Sequence, residues 1–119
     1  MAKTEKYTHL NKLSQYDKII AFIDGCERKG ATMPYISVNG NMFSFLDKDG
    51  DMGLRLAEKE RVTFIDKHKT RLCESYGTVL KEYVLVPDKL FADAKKMKKY
   101  IEKSYAYAAG LKVKVYKMK

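Results

Sequence analysis

The sequence of 119 residues has little of what marks secreted, membrane or metal-binding proteins. Its two cysteines, Cys26 and Cys73, lack CxxC spacing and a neighbouring histidine, so no thiolate metal site is predicted. No apolar run approaches the ~18 residues that a membrane-spanning helix needs. The polar first segment also lacks the apolar core of a secretory signal. We therefore expect a cytoplasmic protein with no membrane partner, in which both cysteines are small packing residues.

Recognisable catalytic motifs are also missing. The two histidines, His9 and His68, lie in no triad or HExxH pattern, and there is no GxSxG, Walker or GxGxxG motif. The carboxylates are scattered through charged segments and not in the apolar setting that acid–base catalysis requires. We expect both histidines to be exposed, and we predict no catalytic residue, no cofactor and no enzyme activity.

One stretch has the spacing of a calcium loop. In LDKDGDMGLRLAE, residues 46–58, Asp47, Asp49 and Asp51 alternate as the ligands of such a loop do. An EF-hand loop needs glycine at its sixth position, which is Met52 here, and a helix on each side, where this sequence is strand-like. The stretch is therefore predicted to be a turn between strands, without a metal.

The composition is that of one soluble globular domain, with 45% apolar, 12% aromatic and 33% charged residues. The net charge of +9 is unevenly distributed. Residues 1–88 contain 14 Lys and Arg against 13 Asp and Glu, whereas residues 89–119 contain 10 lysines against two acidic residues. Such a cluster attracts phosphates or acidic surfaces, and it also favours solubility.

Helical periodicity occurs in three segments. Ser14 opens a capping box, which predicts a first helix over about 15–24, and the preceding EKYTHLNKL is compatible with one or two further helical turns. A second helix is predicted over 58–68, with Val62 and Ile65 on its buried face. The third spans 90–111, and its buried stripe comprises Leu90, Ala94, Met97, Ile101, Tyr105 and Ala108.

Between the first two helices the apolar period changes to two. YISV and NMFSFL flank Asn39 and Gly40, the dipeptide that favours a tight hairpin, and DKDGD precedes MGLRLA. Residues 35–56 therefore predict a three-stranded antiparallel meander. VLKEYVLV predicts a further strand that ends at Pro87, and the segment before it is compatible with a short strand or a loop.

The segments SVNGNMFSFLDKDGDMGLRLAEKE, VLKEYVLVP and YIEKSYAYAAGL resemble the N-terminal domain of the TfoX/Sxy family of competence regulators. The resemblance covers about residues 15–111, and it fails where a Met-Phe-Gly-Gly-like stretch usually precedes the hairpin, since GATMPY stands there. It implies an α+β fold of two layers, an antiparallel sheet packed with helices in the order α-β(3)-α-β(2)-α. Residues 1–119 are thus predicted to form a single TfoX N-terminal-like domain.

The last helix also has a candidate nucleic-acid-binding stripe. Lys96, Tyr100, Lys103 and Tyr107 recur at spacings of four, three and four, with Lys99 beside them. Lysines that contact phosphates and tyrosines that stack on bases are the combination found in single-strand binders. The alternative is an ordinary amphipathic helix, in which rings cover the core edge and lysine stems lie along it.

The tail LKVKVYKMK alternates apolar residues with Lys112 and Lys114, which adds two candidate phosphate contacts. Residues 112–119 are compatible with an edge strand, with an extension across a second subunit of a homodimer, or with a flexible tail.

Three functions agree with these features. The first is a regulatory or adaptor domain of the TfoX type that binds a macromolecule, either a protein or nucleic acid. The second is sequence-independent nucleic-acid binding through the lysines of the last quarter. The third is an enzyme or small-ligand binder with a pocket between sheet and helices.

Overall fold

The computed structural model describes residues 9–25, 27–30, 33–75 and 77–111. The predictions for Cys26 and for the tail 112–119, with Lys112 and Lys114, concern residues outside these ranges. Within them the chain has an α+β fold, in which helices pack on an antiparallel sheet of five strands. This confirms the predicted fold class.

The elements follow the predicted order, and the last predicted helix is divided into two. They are α1 (Leu10–Ile20), β1 (Tyr35–Val38), β2 (Asn41–Leu46), β3 (Met52–Arg55), α2 (Glu58–His68), β4 (Leu72–Ser75), β5 (Thr78–Val86), α3 (Asp88–Phe91) and α4 (Ala94–Ala109). The strands lie in the order β1-β2-β3-β5-β4, and each neighbouring pair is antiparallel. None of the helices in the described ranges is long and apolar enough to cross a bilayer.

Both predicted turns of the meander are confirmed. Asn39 and Gly40 have φ angles of 54° and 79°, as a tight two-residue hairpin between β1 and β2 requires. In the second turn, one carboxylate oxygen of Asp47 accepts hydrogen bonds from the backbone N–H groups of Asp49 and Asp51, both at 2.9 Å. The carboxylate of Asp47 therefore stabilises the turn between β2 and β3.

One face of the sheet carries the core, and every helix contributes to it. The cross-strand partners Ser44 and Leu54 lie on this face, as do Leu46 and Met52. The members of the core cluster that come from helices are Tyr16, Ile19 and Ile20 of α1, Phe64 of α2, Leu90 and Phe91 of α3, and Met97, Tyr100, Ile101 and Ala108 of α4. All the helices thus pack on the same face of the sheet.

A bulge in β2 shapes this face. The register between β1 and β2 changes from Ile36 opposite Ser44 to Ser37 opposite Met42, so Phe43 has no partner on β1. Both Phe43 and Ser44 are fully buried, although a regular strand would point consecutive side chains to opposite faces.

Ser104 fixes α4 to the sheet at the bulge. Its buried hydroxyl lies 2.5 Å from the carbonyl oxygen of Arg55 and 3.0 Å from that of Phe43. Because a hydroxyl has one proton, it donates to one of these carbonyls at a time. This contact sets the position of α4 along β2 and β3.

The first helix was placed wrongly. It begins at Leu10 and ends at Ile20, whereas the predicted range was about 15–24; the start agrees with the alternative of further helical turns before residue 14. The N–H of Leu13 already donates to His9, so Ser14 lies inside the helix and does not cap it.

The helix ends early because its backbone hydrogen bonds change from the α-helical to the 3₁₀ pattern. The N–H of Phe22 donates to Ile19, and that of Ile23 to Ile20, each three residues back in the chain.

The buried face of α2 also differs from the prediction, although its bounds are those predicted. Val62 is 63% exposed, and Phe64 is the buried residue. Ile65 is partly buried against the core, as expected. The side chain of Arg61 also turns toward the protein, since it donates to the carbonyl of Leu56 at 2.8 Å. The helix has few apolar residues, so its periodicity defined the face poorly.

The predicted helix over 90–111 is interrupted before residue 94. The carboxylate of Asp93 accepts a hydrogen bond from the N–H of Lys96 at 3.2 Å and caps α4. The whole predicted stripe is nevertheless buried or packed against the core. Leu90, Met97, Ile101 and Ala108 belong to the core, and Ala94 and Tyr105 pack against it. The apolar period thus continues across the break.

Candidate anion-binding site

A histidine and a tyrosine meet where the end of α2 approaches α4. Nε2 of His68 and the hydroxyl oxygen of Tyr100 are 2.8 Å apart. The ring of Phe64 packs against both, with centroid distances of 4.6 Å to His68 and 5.0 Å to Tyr100. His68 was expected to be exposed, and it is instead half-buried and hydrogen-bonded.

Local sequence determines how α2 presents this histidine. Phe64 and His68 are four residues apart and so lie on the same face of the helix. The helix ends at His68. Lys69, which follows it, has a φ angle of 53°, and the N–H of Thr70 then donates to the carbonyl of Ile65. His68 is therefore held at the end of the helix, next to the middle of α4.

Three lysines surround the pair: Lys67, Lys96 and Lys99. Burial lowers the pKa of the His68 imidazole below its ordinary value of 6.5, and the positive charges of the three lysines lower it further. Nζ of Lys99 lies 5.0 Å from the ring centroid of Tyr100. In the part of the chain that the structure describes, none of the four ion pairs includes any of these lysines. Their charge is left for a ligand or for solvent.

These side chains line a small cleft of about 190 Å3, which we call the basic cleft. Its residues are Lys67, His68, Leu90, Lys96, Lys99 and Tyr100. Leu90 supplies an apolar wall, and the polar groups are imidazole, phenol and ammonium. Such a set donates hydrogen bonds and carries positive charge, which suits an anion.

The residues of the predicted stripe on the last helix lie at different sites in the structure. Lys96 and Lys99 are exposed at the basic cleft. Tyr100 is only 9% exposed, so it presents little ring surface on which a base could stack. Lys103 forms an ion pair with Glu60 at 2.9 Å.

Tyr107 lies at a different centre, farther along α4. The guanidinium of Arg55 is 5.9 Å from the ring centroid of Tyr107 and 5.7 Å from that of Tyr83. Nε of Arg55 also donates to Glu82 at 2.7 Å. The charge of this arginine is thus neutralised, and the group braces α4 against β3 and β5.

Two members of the basic cleft were not among the binding residues predicted from the sequence. Lys67 and His68 lie in α2, whereas the predicted stripe was confined to the last helix. His68 and Tyr100 are separated by 32 residues, and no local pattern links them. The sequence feature that could have pointed to this site is the pair of basic residues in the last turn of α2. Such residues are also favoured there by the negative end of the helix dipole, so they do not identify a binding site.

Other surfaces of the described chain are less suited to an anion. Grooves of about 420 and 340 Å3 run along α1, and the larger volume lies beside His9 and Lys12. Lys12 pairs with Asp88 at 2.9 Å in this region. Within the described ranges, no group of three or more His, Cys, Asp or Glu side chains is placed to hold a metal ion.

Comparisons with known proteins find no match, since no protein-family model, no curated protein and no solved structure is significantly similar to this chain. The resemblance to the TfoX/Sxy family therefore stays a prediction.

Proposed function

We propose that this protein is a small, non-catalytic binding domain that holds nucleic acid by its phosphate backbone without reading the base sequence. The observation that supports it is the basic cleft, where Lys67, Lys96 and Lys99 lie together and form none of the ion pairs found among the described residues. Lysines that neutralise phosphates release counterions from nucleic acid, and this release favours binding.

The kind of cation supports phosphate contact over base readout. The basic residues of the cleft are lysines, and no arginine follows Arg71 in the sequence. Arginine is the residue that most often reads guanine, through its planar fork, whereas an ammonium acts as a point charge. Binding would therefore depend strongly on salt and weakly on sequence.

The biological role that we propose is regulatory, in the cytoplasm. The resemblance of the VNGNM hairpin, the LKEYVLV strand and the SYAYAAGL segment to the TfoX N-terminal domain supports this role, since that family is named for regulators. The macromolecule bound is, on this proposal, nucleic acid and not a protein, because three lysines line the cleft and nucleic acid presents a continuous row of negative phosphates.

The test is fluorescence anisotropy with labelled single-stranded and duplex DNA over about 50 to 200 mM salt. If three lysines each neutralise one phosphate, the affinity for duplex falls about 40-fold over this range, since each contact adds about 0.9 to the salt slope. With the double substitution Lys96→Gln and Lys99→Gln, the affinity for duplex should fall only about 3.5-fold over the same salt range.

A matched control removes two lysines from other surfaces. Lys59→Gln with Lys81→Gln changes the net charge by the same amount at exposed positions on α2 and β5. The proposal requires this control to retain most of the wild-type salt slope. An absence of binding to DNA or RNA at low salt, or equal losses in both double variants, would show it to be wrong.

A further inference from the structure

The hydrogen bond between His68 and Tyr100 has two arrangements, and they differ in what they offer a ligand. When the imidazole is neutral, the Tyr100 hydroxyl can donate its hydrogen bond to Nε2 of His68, and it then has no hydrogen to offer a ligand. When the imidazole is protonated, both ring nitrogens are donors, so Nε2 donates to the phenol oxygen. The phenol proton is then free to be donated into the cleft.

Among the described residues, the charged groups that act on His68 are cations. Lys67 comes from its own helix, and Lys96 and Lys99 from α4, while Leu90 of α3 and the ring of Phe64 are apolar. In the empty cleft these lysines oppose protonation of the imidazole. An anion that entered would offset the positive charge of these lysines and so favour the imidazolium.

The size and charge of the cleft select a small, doubly charged anion. A volume of about 190 Å3 is below the range of ordinary organic-ligand pockets, which begins near 300 Å3. A phosphate monoester carries a charge of about −1.5 to −2 at neutral pH, whereas an internal phosphodiester carries one negative charge. Three lysines that line one small cleft therefore favour the monoester.

We propose that the basic cleft binds the terminal phosphate monoester of a nucleic-acid strand, and that His68 takes up a proton as the phosphate binds. The imidazolium then donates a hydrogen bond to the phenol oxygen of Tyr100, and the Tyr100 hydroxyl donates one to a phosphate oxygen, while the lysines supply charge. The one covalent change is the N–H bond that forms when the imidazole takes a proton from the solvent. The inference rests on the proposed nucleic-acid binding and adds a preference for strand ends.

The first experiment compares two single strands of the same sequence, with a 5′-phosphate or a 5′-hydroxyl, in the anisotropy assay. The phosphorylated strand should bind at least about tenfold more tightly, which is the gain from one hydrogen bond to a charged group. Tyr100→Phe should remove most of this preference, and the Lys59→Gln, Lys81→Gln control should retain it. Inorganic phosphate should compete for the end-dependent part of the binding.

The possible failures are distinguishable. Equal affinity for both strands, with a steep salt dependence, would overturn the strand-end inference and leave backbone binding in place. No binding of either strand would overturn both. A phosphoserine peptide that binds more tightly than the phosphorylated strand would overturn the assignment to nucleic-acid ends.

The second experiment measures proton uptake with sulfate, an anion whose own charge stays constant between about pH 8 and pH 6, where histidine titrates. Calorimetry in buffers of different ionisation enthalpy should show up to one proton taken up, with affinity rising as pH falls. His68→Gln should still bind sulfate but without this pH dependence. Sulfate binding by the wild-type protein with no proton uptake would contradict the inference, and this result does not depend on any variant folding.

Discussion

The ring of Phe45 on β2 lies directly over Gly53, its cross-strand partner on β3. A Cβ atom at residue 53 would be 2.3 Å from Cζ of Phe45. The ring has little room to move, because it is 3% exposed and its centroid is 5.5 Å from that of Tyr83. The glycine is thus required by close packing on the face of the sheet opposite the helices.

Gly53→Ala should lower the free energy of unfolding by about 1 to 3 kcal/mol, the usual effect of inserting a methyl group into a filled site. Urea denaturation followed by circular dichroism measures this change. Gly110→Ala is the control, since its new Cβ would lie no closer than 3.4 Å to its neighbours and its φ angle is −83°. A urea denaturation curve of Gly53→Ala that overlays that of the wild type would contradict this account.

Ser104→Ala should destabilise the protein by about 1 to 3 kcal/mol, because it leaves buried carbonyl oxygens of Phe43 and Arg55 without the hydroxyl donor. The same denaturation measurement applies. Ser14→Ala, at an exposed position of α1, should change the free energy by less than about 0.5 kcal/mol. Equal behaviour of the two variants would mean that the Ser104 contact does not fix α4.

Stability should depend on pH through His68. The pKa of this imidazole is lowered by burial and then by Lys67, Lys99 and Lys96, so the unfolded chain binds the proton more readily than the folded protein. The contribution to stability is fully present above the unfolded pKa of 6.5 and is lost as pH falls below it.

The measurement for this prediction is the urea midpoint at about pH 7.5 and about pH 5.5, on either side of the histidine pKa. The wild type should lose more stability between these values than His68→Gln, in which the titrating group is absent. If the stability of the wild type depends on pH no more than that of His68→Gln, folding does not lower the pKa of His68.

Cys73 should be unreactive in the folded protein. Burial raises the pKa of its thiol to about 12, so almost no thiolate is present at neutral pH. Iodoacetamide at about pH 8 should leave Cys73 unmodified in native buffer and alkylate it in urea, as peptide mass spectrometry would show. Rapid native alkylation at Cys73 would contradict the burial.

Local chemistry is why much of the fold was predictable. Asn39-Gly40 favours positive φ angles at both positions, and these angles determine the hairpin without help from the rest of the chain. The bounds of α2 at 58–68 and the end of β5 before Pro87 also depend on neighbouring residues. The α+β order could therefore be derived from turns, breaks and periodicity.

Longer-range contacts explain the wrong predictions. The burial of Phe64, with Val62 exposed, depends on where α2 lies against the sheet, and the helix has too few apolar residues to show this in its own pattern. The bulge at Phe43 likewise depends on pairing with β1. Neither is encoded within the segment where it occurs.

The sequence by itself determined the element order and the excess of lysine in the last quarter of the chain. Only the tertiary structure decided which lysines remain free of ion pairs among the described residues, because Lys103 meets Glu60 while Lys96 and Lys99 face the end of α2. It also brought His68 to Tyr100 across 32 residues. Charge is a property of composition, whereas its neutralisation and the pKa of a neighbouring group depend on distances that folding sets.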